Sequence, residues 1–309
     1  MTDPERPSPT AVTSAPPAMA AANGIELCHQ TYGDPTDPPM LLVMGLGAQM
    51  ILWPEELVLG LAAGGRYVIR FDNRDVGLST KTPGPPPDVL ALMIRRTAGG
   101  EVGPADVPYT LSDMAADAAG LLDALGIERA DVVGASMGGM IVQHLAIEHP
   151  QRVRSVTSIM STTGNPAVGQ ASPEAIGALL RPPPANRDEA IVQGMAASKV
   201  ISGPLWDPDD ARRRAAESYD RMFHPAGPAF QLAAIVASGD RTERLGSVQT
   251  SFLVVHGRVD PLIDVSGGVA TADAVPGAEL VLFDEMGHNL PRPLFPQLID
   301  AIDGIASRI

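Results

Sequence analysis

Gly134-Ala135-Ser136-Met137-Gly138 fits the pattern G-x-S-x-G. That pattern sets a serine on a sharp turn between a buried strand and a helix. Val132 and Val133 precede it, and the helical stretch "MIVQHLAIEHP" (140–150) follows it. Such a turn holds its serine in a strained conformation, so nothing bulky fits two residues to either side, and the hydroxyl projects from the sheet edge. A plain tight turn, or a phosphate loop, would also use small residues. However, neither the dinucleotide fingerprint G-x-G-x-x-G nor the Gly-Lys-Ser/Thr of a P-loop is present.

A serine nucleophile on this turn requires an orienting acid and then a histidine base later in the chain. Of the six histidines, His29 precedes Ser136 and falls on an edge hairpin. His149 stands before Pro150 at a helix end, where an imidazole can cap carbonyls. His144 belongs to the helix after Ser136 and packs toward the sheet, and His224, next to Pro225, reads as a helix terminus. His256 ends a strand and is expected to be buried in the turn that follows. His288, in "DEMGHN" after the last apolar run, can swing over the sheet edge and is the expected base. For the acid, "VVHGRVDPLID" offers Asp260 directly after a strand, with Asp264 a weaker alternative about one helical turn on. The lesser reading of Asp260, before Pro261, is that it serves only to form a turn. The expected oxyanion donors are the backbone N–H groups of Met137 and of Leu46, the latter in the glycine loop "MGLGAQMILWP". Arg74 and Asp75, in "FDNRDVGLS", stand at the same edge and could touch substrate, but read first as a self-bonded turn.

These residues need a scaffold that brings strand ends together. Short apolar runs recur at 40–45, 67–72, 131–135, 155–160, 251–257 and 279–284, with helical patterns between them. Runs rich in Val, Leu and Ile alternating with helices indicate an α/β protein with a parallel sheet covered on both faces. "TLSDMAADAAGLLDALG" (110–126) and "PLFPQLIDAIDGIASRI" (293–309) read as two of the covering helices. Between Ser161 and Gln249 the alternation stops. Residues 162–248 are therefore expected to form a helical cap inserted into a core of 23–161 and 249–309. Asp207 and Pro208 would start one cap helix. A proline-rich insertion at 81–109 is expected to shape the same pocket. Residues 1–22, rich in Pro, Ala, Ser and Thr, read as a disordered lead-in.

Composition narrows the function classes. The 309 residues are 45% hydrophobic and 19% charged, a globular balance, with a net charge of -14. So acidic a chain is repelled by phosphate backbones, so nucleic acid is not an expected partner. A single cysteine, Cys28, rules out an internal disulfide and a zinc ribbon. No apolar run reaches the roughly 18 residues needed to span a bilayer. The N-terminus lacks the basic flank and apolar block of a signal peptide, so the expected location is the cytoplasm.

With the motifs assembled, the chain resembles the α/β-hydrolase-fold esterases. "LLVMGLGAQMILW", "VIRFDNRDVGLST" and "GASMGG" are similar to the actinobacterial lipase/esterase branch and the related aclacinomycin methylesterases. The resemblance implies an α/β-hydrolase fold with an inserted helical cap and a triad of Ser136, Asp260 and His288. Met44 stands where many members carry His before the glycine, a departure that leaves the backbone donors intact. The expected activity is cleavage of a small-molecule carboxylic ester through an acyl-enzyme, with no metal or organic cofactor. Trp206, Tyr219, Met222 and Phe223 in the cap point to an apolar acyl or ring system. The same triad would also serve a cofactor-free perhydrolase, a thioesterase or a C–C bond hydrolase, and the fold can also act as a non-catalytic ligand receptor.

Overall fold

A computed structural model describes residues 12–308. Eight strands form one sheet in the order β1-β2-β4-β3-β5-β6-β7-β8. They are β1 (Ala18–Ala22), β2 (Ile25–Tyr32), β3 (Pro39–Val43), β4 (Tyr67–Phe71), β5 (Ala130–Ala135), β6 (Val153–Ile159), β7 (Ser251–Gly257) and β8 (Glu279–Phe283). β1 and β2 run antiparallel at one edge, and every pairing from β4 to β8 is parallel. Each of the six apolar runs forms one of the parallel strands. The parallel strands therefore end along one edge, where the loops that follow them converge.

The helices are α1 (Glu55–Ala63), α2 (Val89–Thr97), α3 (Leu111–Ala124), α4 (Met137–Glu148), α5 (Pro173–Leu179), α6 (Arg187–Ile201), α7 (Pro208–Arg221), α8 (Gly227–Ser238), α9 (Thr242–Leu245), α10 (Val265–Ala274) and α11 (Phe295–Ala306). Successive strand residues point to opposite faces, which sorts the core into two layers. Leu41, Val43 and Val132 pack with Leu121, Leu122, Ile141 and Leu145 of α3 and α4. Met40, Leu42 and Val133 pack with Leu57, Leu61, Leu298 and Ile302 of α1 and α11. Each such leucine removed from water stabilises the fold by about 1.5–3 kcal/mol. Thr110 caps α3, sharing reciprocal hydrogen bonds with Asp113. Asp207 caps α7 ahead of Pro208 at the first helical position.

The expected disordered lead-in needs correction. Residues 1–11 lie outside the described residues, but Ala18–Ala22 pair with Ile25–His29, and Ser14 bridges to Tyr32. The cause is the dipeptide Asn23-Gly24, with φ of +50° and +79°, a two-residue turn that matches the twist of a hairpin. "AMAAA" has no apolar alternation, so its strand comes from the turn and from pairing with β2. The core thus extends N-terminally of residue 23.

Between β6 and β7 the described residues form α5 to α9 and no strand. Within 81–109, the proline-rich insertion forms α2 and a short 3-10 turn.

Candidate active site

Ser136 stands at the junction of β5 and α4 with φ of +57° and ψ of -119°, a region costly for any residue with a Cβ. Its surroundings hold it there. The Ser136 N–H donates to the Ile159 carbonyl at 2.9 Å, and the Ser161 hydroxyl donates to the Ser136 carbonyl at 2.8 Å. The motif glycines are steric requirements. A Cβ on Gly134 would lie 2.1 Å from the Gly138 carbonyl oxygen, and one on Gly138 would lie 1.9 Å from that of Val43.

The Ser136 Oγ lies 2.8 Å from His288 Nε2, across 152 positions of sequence. The other ring nitrogen, Nδ1, lies 2.8 Å from Asp260 Oδ2. An ionised carboxylate only accepts, so Nδ1 carries the ring proton and Nε2 presents its lone pair to the serine hydroxyl. Asp260 is held in turn: its Oδ1 accepts from the N–H groups of Leu262 and Ile263 at 2.8 and 2.9 Å. Burial alone would raise its pKa. The His288 charge and the hydrogen bonds from His256, His288 and Ile263 outweigh that and bring it down to about 2. Asp260 is therefore charged at neutral pH. Asp264 caps α10 through the Ser266 N–H at 3.0 Å and takes no part in this line.

The N–H groups of Leu46 and Met137 donate to no acceptor among the described residues. Met137 is the first residue of α4, so its N–H carries the positive end of the helix dipole. Leu46 follows the C-terminal end of β3, and both it and Ser136 line one cavity.

Three of the other histidines have structural roles of their own. His256 is fully buried, with Nε2 2.8 Å from the Ile263 carbonyl. His144 Nδ1 lies 2.9 Å from Glu148, and the desolvated ring is held below its ordinary pKa. His149 ends α4 through its backbone N–H rather than its ring. Arg74 pairs with Asp117 at 2.6 Å, and Asp75 accepts from the N–H and hydroxyl of Thr82. Asp75 thus forms the self-bonded turn expected of it, whereas the Arg74 side chain reaches out of the turn to α3.

The cavity holds about 1900 Å³. Its walls include Leu205, Ile235 and Val236 from the β6–β7 segment, Met93 and Arg96 from α2, and Met160 after β6. Both insertions thus line it. Of the four apolar residues singled out in the sequence, only Trp206 lines the cavity. Tyr219 stacks on Phe223 with ring centroids 4.7 Å apart, and Met222 and Phe223 lie on the exposed surface.

Several polar residues that tie the site together carried no signal in the sequence analysis. Asn73 donates to the Met44 carbonyl at 2.9 Å. Arg221 pairs with the buried Asp72 at 2.7 Å and donates to Gln49 at 2.7 Å. Gln231 bridges Gly47 and Arg74. A lone amide in the apolar helix "AFQLAAIV" was the available clue to Gln231, because a buried amide must have partners.

The family model described as alpha/beta hydrolase fold matches residues 38–291. Rhodomycin D methylesterase of Streptomyces sp. (strain C5) is 28% identical over 308 residues, covering 93% of this chain and 97% of that protein. 2-Hydroxymuconate semialdehyde hydrolase of Pseudomonas putida is 30% identical over 205 residues, covering 65% of this chain and 69% of that protein. Among solved structures, an esterase from Rhodococcus sp. ECU1013 superposes with a TM-score of 0.70 at 19% identity, covering 94% of this chain and 98% of that one. At that identity the likeness speaks for the fold alone.

Proposed function

The chain belongs to the alpha/beta hydrolase fold family, and from that premise we propose that it hydrolyses a carboxylic ester with Ser136 as nucleophile. One observation carries the reading: the unbroken line from Ser136 Oγ to His288 Nε2 and from His288 Nδ1 to Asp260, each step 2.8 Å, opening on a large, mostly apolar cavity.

In this mechanism Ser136 Oγ attacks the ester carbonyl carbon while His288 Nε2 takes its proton. Asp260 keeps the ring in the required tautomer and offsets the charge of the imidazolium. The Leu46 and Met137 N–H groups receive the oxyanion, and Met137 adds the dipole of α4. Collapse of the tetrahedral intermediate expels the alcohol with the proton from His288. Water, deprotonated by His288, then attacks the acyl-Ser136 carbonyl and releases the acid. Residues 162–248 act as a cap that selects the substrate.

The cavity is larger than the 300–1,000 Å³ usual for a small-ligand site. A small ester of a short acid would leave most of it unfilled, so the reading favours a bulky, apolar acyl or ring system. Its likeness to rhodomycin D methylesterase along nearly the whole chain supports a methyl ester as the scissile group.

Labelling with a fluorophosphonate probe tests the nucleophile: wild type should label and Ser136→Ala should not. Turnover of a panel of methyl esters, from single-ring to multi-ring acids, with matched thioesters, tests the substrate. Equal labelling of wild type and Ser136→Ala, or no ester turnover by labelled enzyme, would refute the reading.

A further inference from the structure

Gln231 of α8 is wholly buried and uses both ends of its amide. Its Oε1 accepts from the Gly47 N–H at 2.7 Å, and its Nε2 donates to the Arg74 carbonyl at 2.7 Å. Gly47 directly follows Leu46, the donor assigned to the oxyanion. We infer that Gln231 is a positioning residue that fixes the direction of the Leu46 N–H from the inserted segment, an inference that rests on the ester-hydrolase reading above.

The Leu46 and Gly47 N–H groups belong to the two peptide planes flanking one α-carbon. Holding the second plane restricts rotation of the first. The loop needs such a restraint. Gly47 has φ of +66°, and glycine moves freely through that region. A short turn, from the Ala48 N–H to the Gly45 carbonyl at 3.2 Å, does not fix the loop against the rest of the protein. Contact with α8 does: a Cβ on Gly47 would sit 3.1 Å from Pro228 Cγ.

The opposite end of Gln231 is tied to a rigid reference. Arg74 makes two hydrogen bonds of 2.6 Å to Asp117 of α3. Its guanidinium also lies 4.7 Å from the centre of the Tyr109 ring. A continuous path therefore runs from the core helix α3 through Arg74 and Gln231 to the oxyanion loop. A donor aimed in advance needs no reorganisation as charge develops on the carbonyl oxygen, which is how such donors lower a barrier.

A Gln231 with a purely structural role would affect stability alone, so the test reads transition-state binding separately. Gln231→Met keeps the volume and removes both polar groups. With a methyl ester that the wild type turns over, kcat should fall at least tenfold with KM within about twofold. A trifluoromethyl ketone, whose hemiketal oxygen occupies the oxyanion site, should lose affinity by the same factor as kcat/KM. Gln231→Glu retains the acceptor for Gly47 but gives up the donor to the Arg74 carbonyl, and should recover only part of both losses. If Gln231→Met does not fold, Gln231→Asn, with its amide drawn back by one methylene, should show the same paired losses. A folded Met or Asn variant with wild-type kcat and wild-type ketone affinity overturns the inference. The ester-hydrolase reading would survive that result, because it stands or falls separately, on Ser136-dependent labelling and on ester turnover by the wild type.

Discussion

His288 Nε2 lies 2.8 Å from Ser136 Oγ, and that one contact joins the turn after β5 to the loop after β8. If the two side chains act as a unit, removing either should cost nearly as much as removing both. Ser136→Ala and His288→Ala should each lower kcat by about 10⁴-fold or more, and the double variant should be little worse. Steady-state kinetics on one methyl ester checks this. Multiplicative losses would mean that the two residues work independently.

Asp260 links activity to stability. Its folded-state pKa lies below its unfolded value, falling from 3.8 to about 2. The sign follows directly: a carboxyl depressed on folding contributes stability above its unfolded pKa and loses it as pH falls toward the folded one. The shift corresponds to about 2 kcal/mol. Asp260→Asn should therefore be less stable than wild type in urea at pH 6, and the gap should close between about pH 4 and pH 2. At neutral pH its kcat should also drop by about 10⁴-fold, because the ring can adopt the wrong tautomer. A stability gap that does not change with pH would refute the electrostatic account.

Ser136 occupies a backbone conformation suited to glycine. Ser136→Gly should therefore be more stable than Ser136→Ala, both lacking the nucleophile, by about 1 kcal/mol. Differential scanning calorimetry should show the glycine variant melting about 1–2 °C higher. Equal melting temperatures would mean that the turn is not strained at this residue.

Where the sequence could be read, local rules governed the outcome. The runs that became β3 to β7 are largely buried on both faces and so are mostly apolar, while β8, at the sheet edge, is only half-buried. Asp207 announced its helix because an N-cap is a short-range event. Ser136, Asp260 and His288 could be ordered because each follows a strand that ends at the same edge. The reading stopped where partners are polar and distant. Arg221 meets Asp72, and Gln231 meets Gly47, across about 150 residues or more, and neither contact leaves a periodic trace. β1 was lost for a different reason: the Asn23-Gly24 turn that creates it was masked by an alanine-rich strand.

The Arg221–Asp72 pair anchors α7 to the core next to the oxyanion loop, with Asp72 fully buried and Arg221 largely so. Asp72 also accepts from the N–H groups of Met50 and Leu78 at 2.7 and 2.9 Å. Arg221→Met leaves a buried carboxylate without its cation, a loss of about 3–5 kcal/mol. Adding Asp72→Asn should recover part of that loss, because the neutral amide is far less costly to bury. Urea unfolding of the four proteins gives the coupling energy directly. A double variant as unstable as the sum of the two single ones would show that the pair is not coupled.

Ile235 of α8 lines the cavity without belonging to the hydrogen-bonded line at its base, so it can test how the space is used. Ile235→Trp fills part of the cavity and leaves Ser136, Asp260 and His288 in place. If the cavity receives a bulky ring system, kcat/KM for a multi-ring methyl ester should fall at least about tenfold, within the 10–200-fold typical of one changed apolar contact. On the same reading, kcat/KM for a single-ring methyl ester should stay within about twofold, because the smaller acyl group would leave the space beside Ile235 unfilled. Overpacking could cost about 1–3 kcal/mol of stability, so a melting curve is measured alongside. Equal losses on both esters, with stability unchanged, would place the substrate elsewhere in the cavity and remove the argument from its size to a bulky acid.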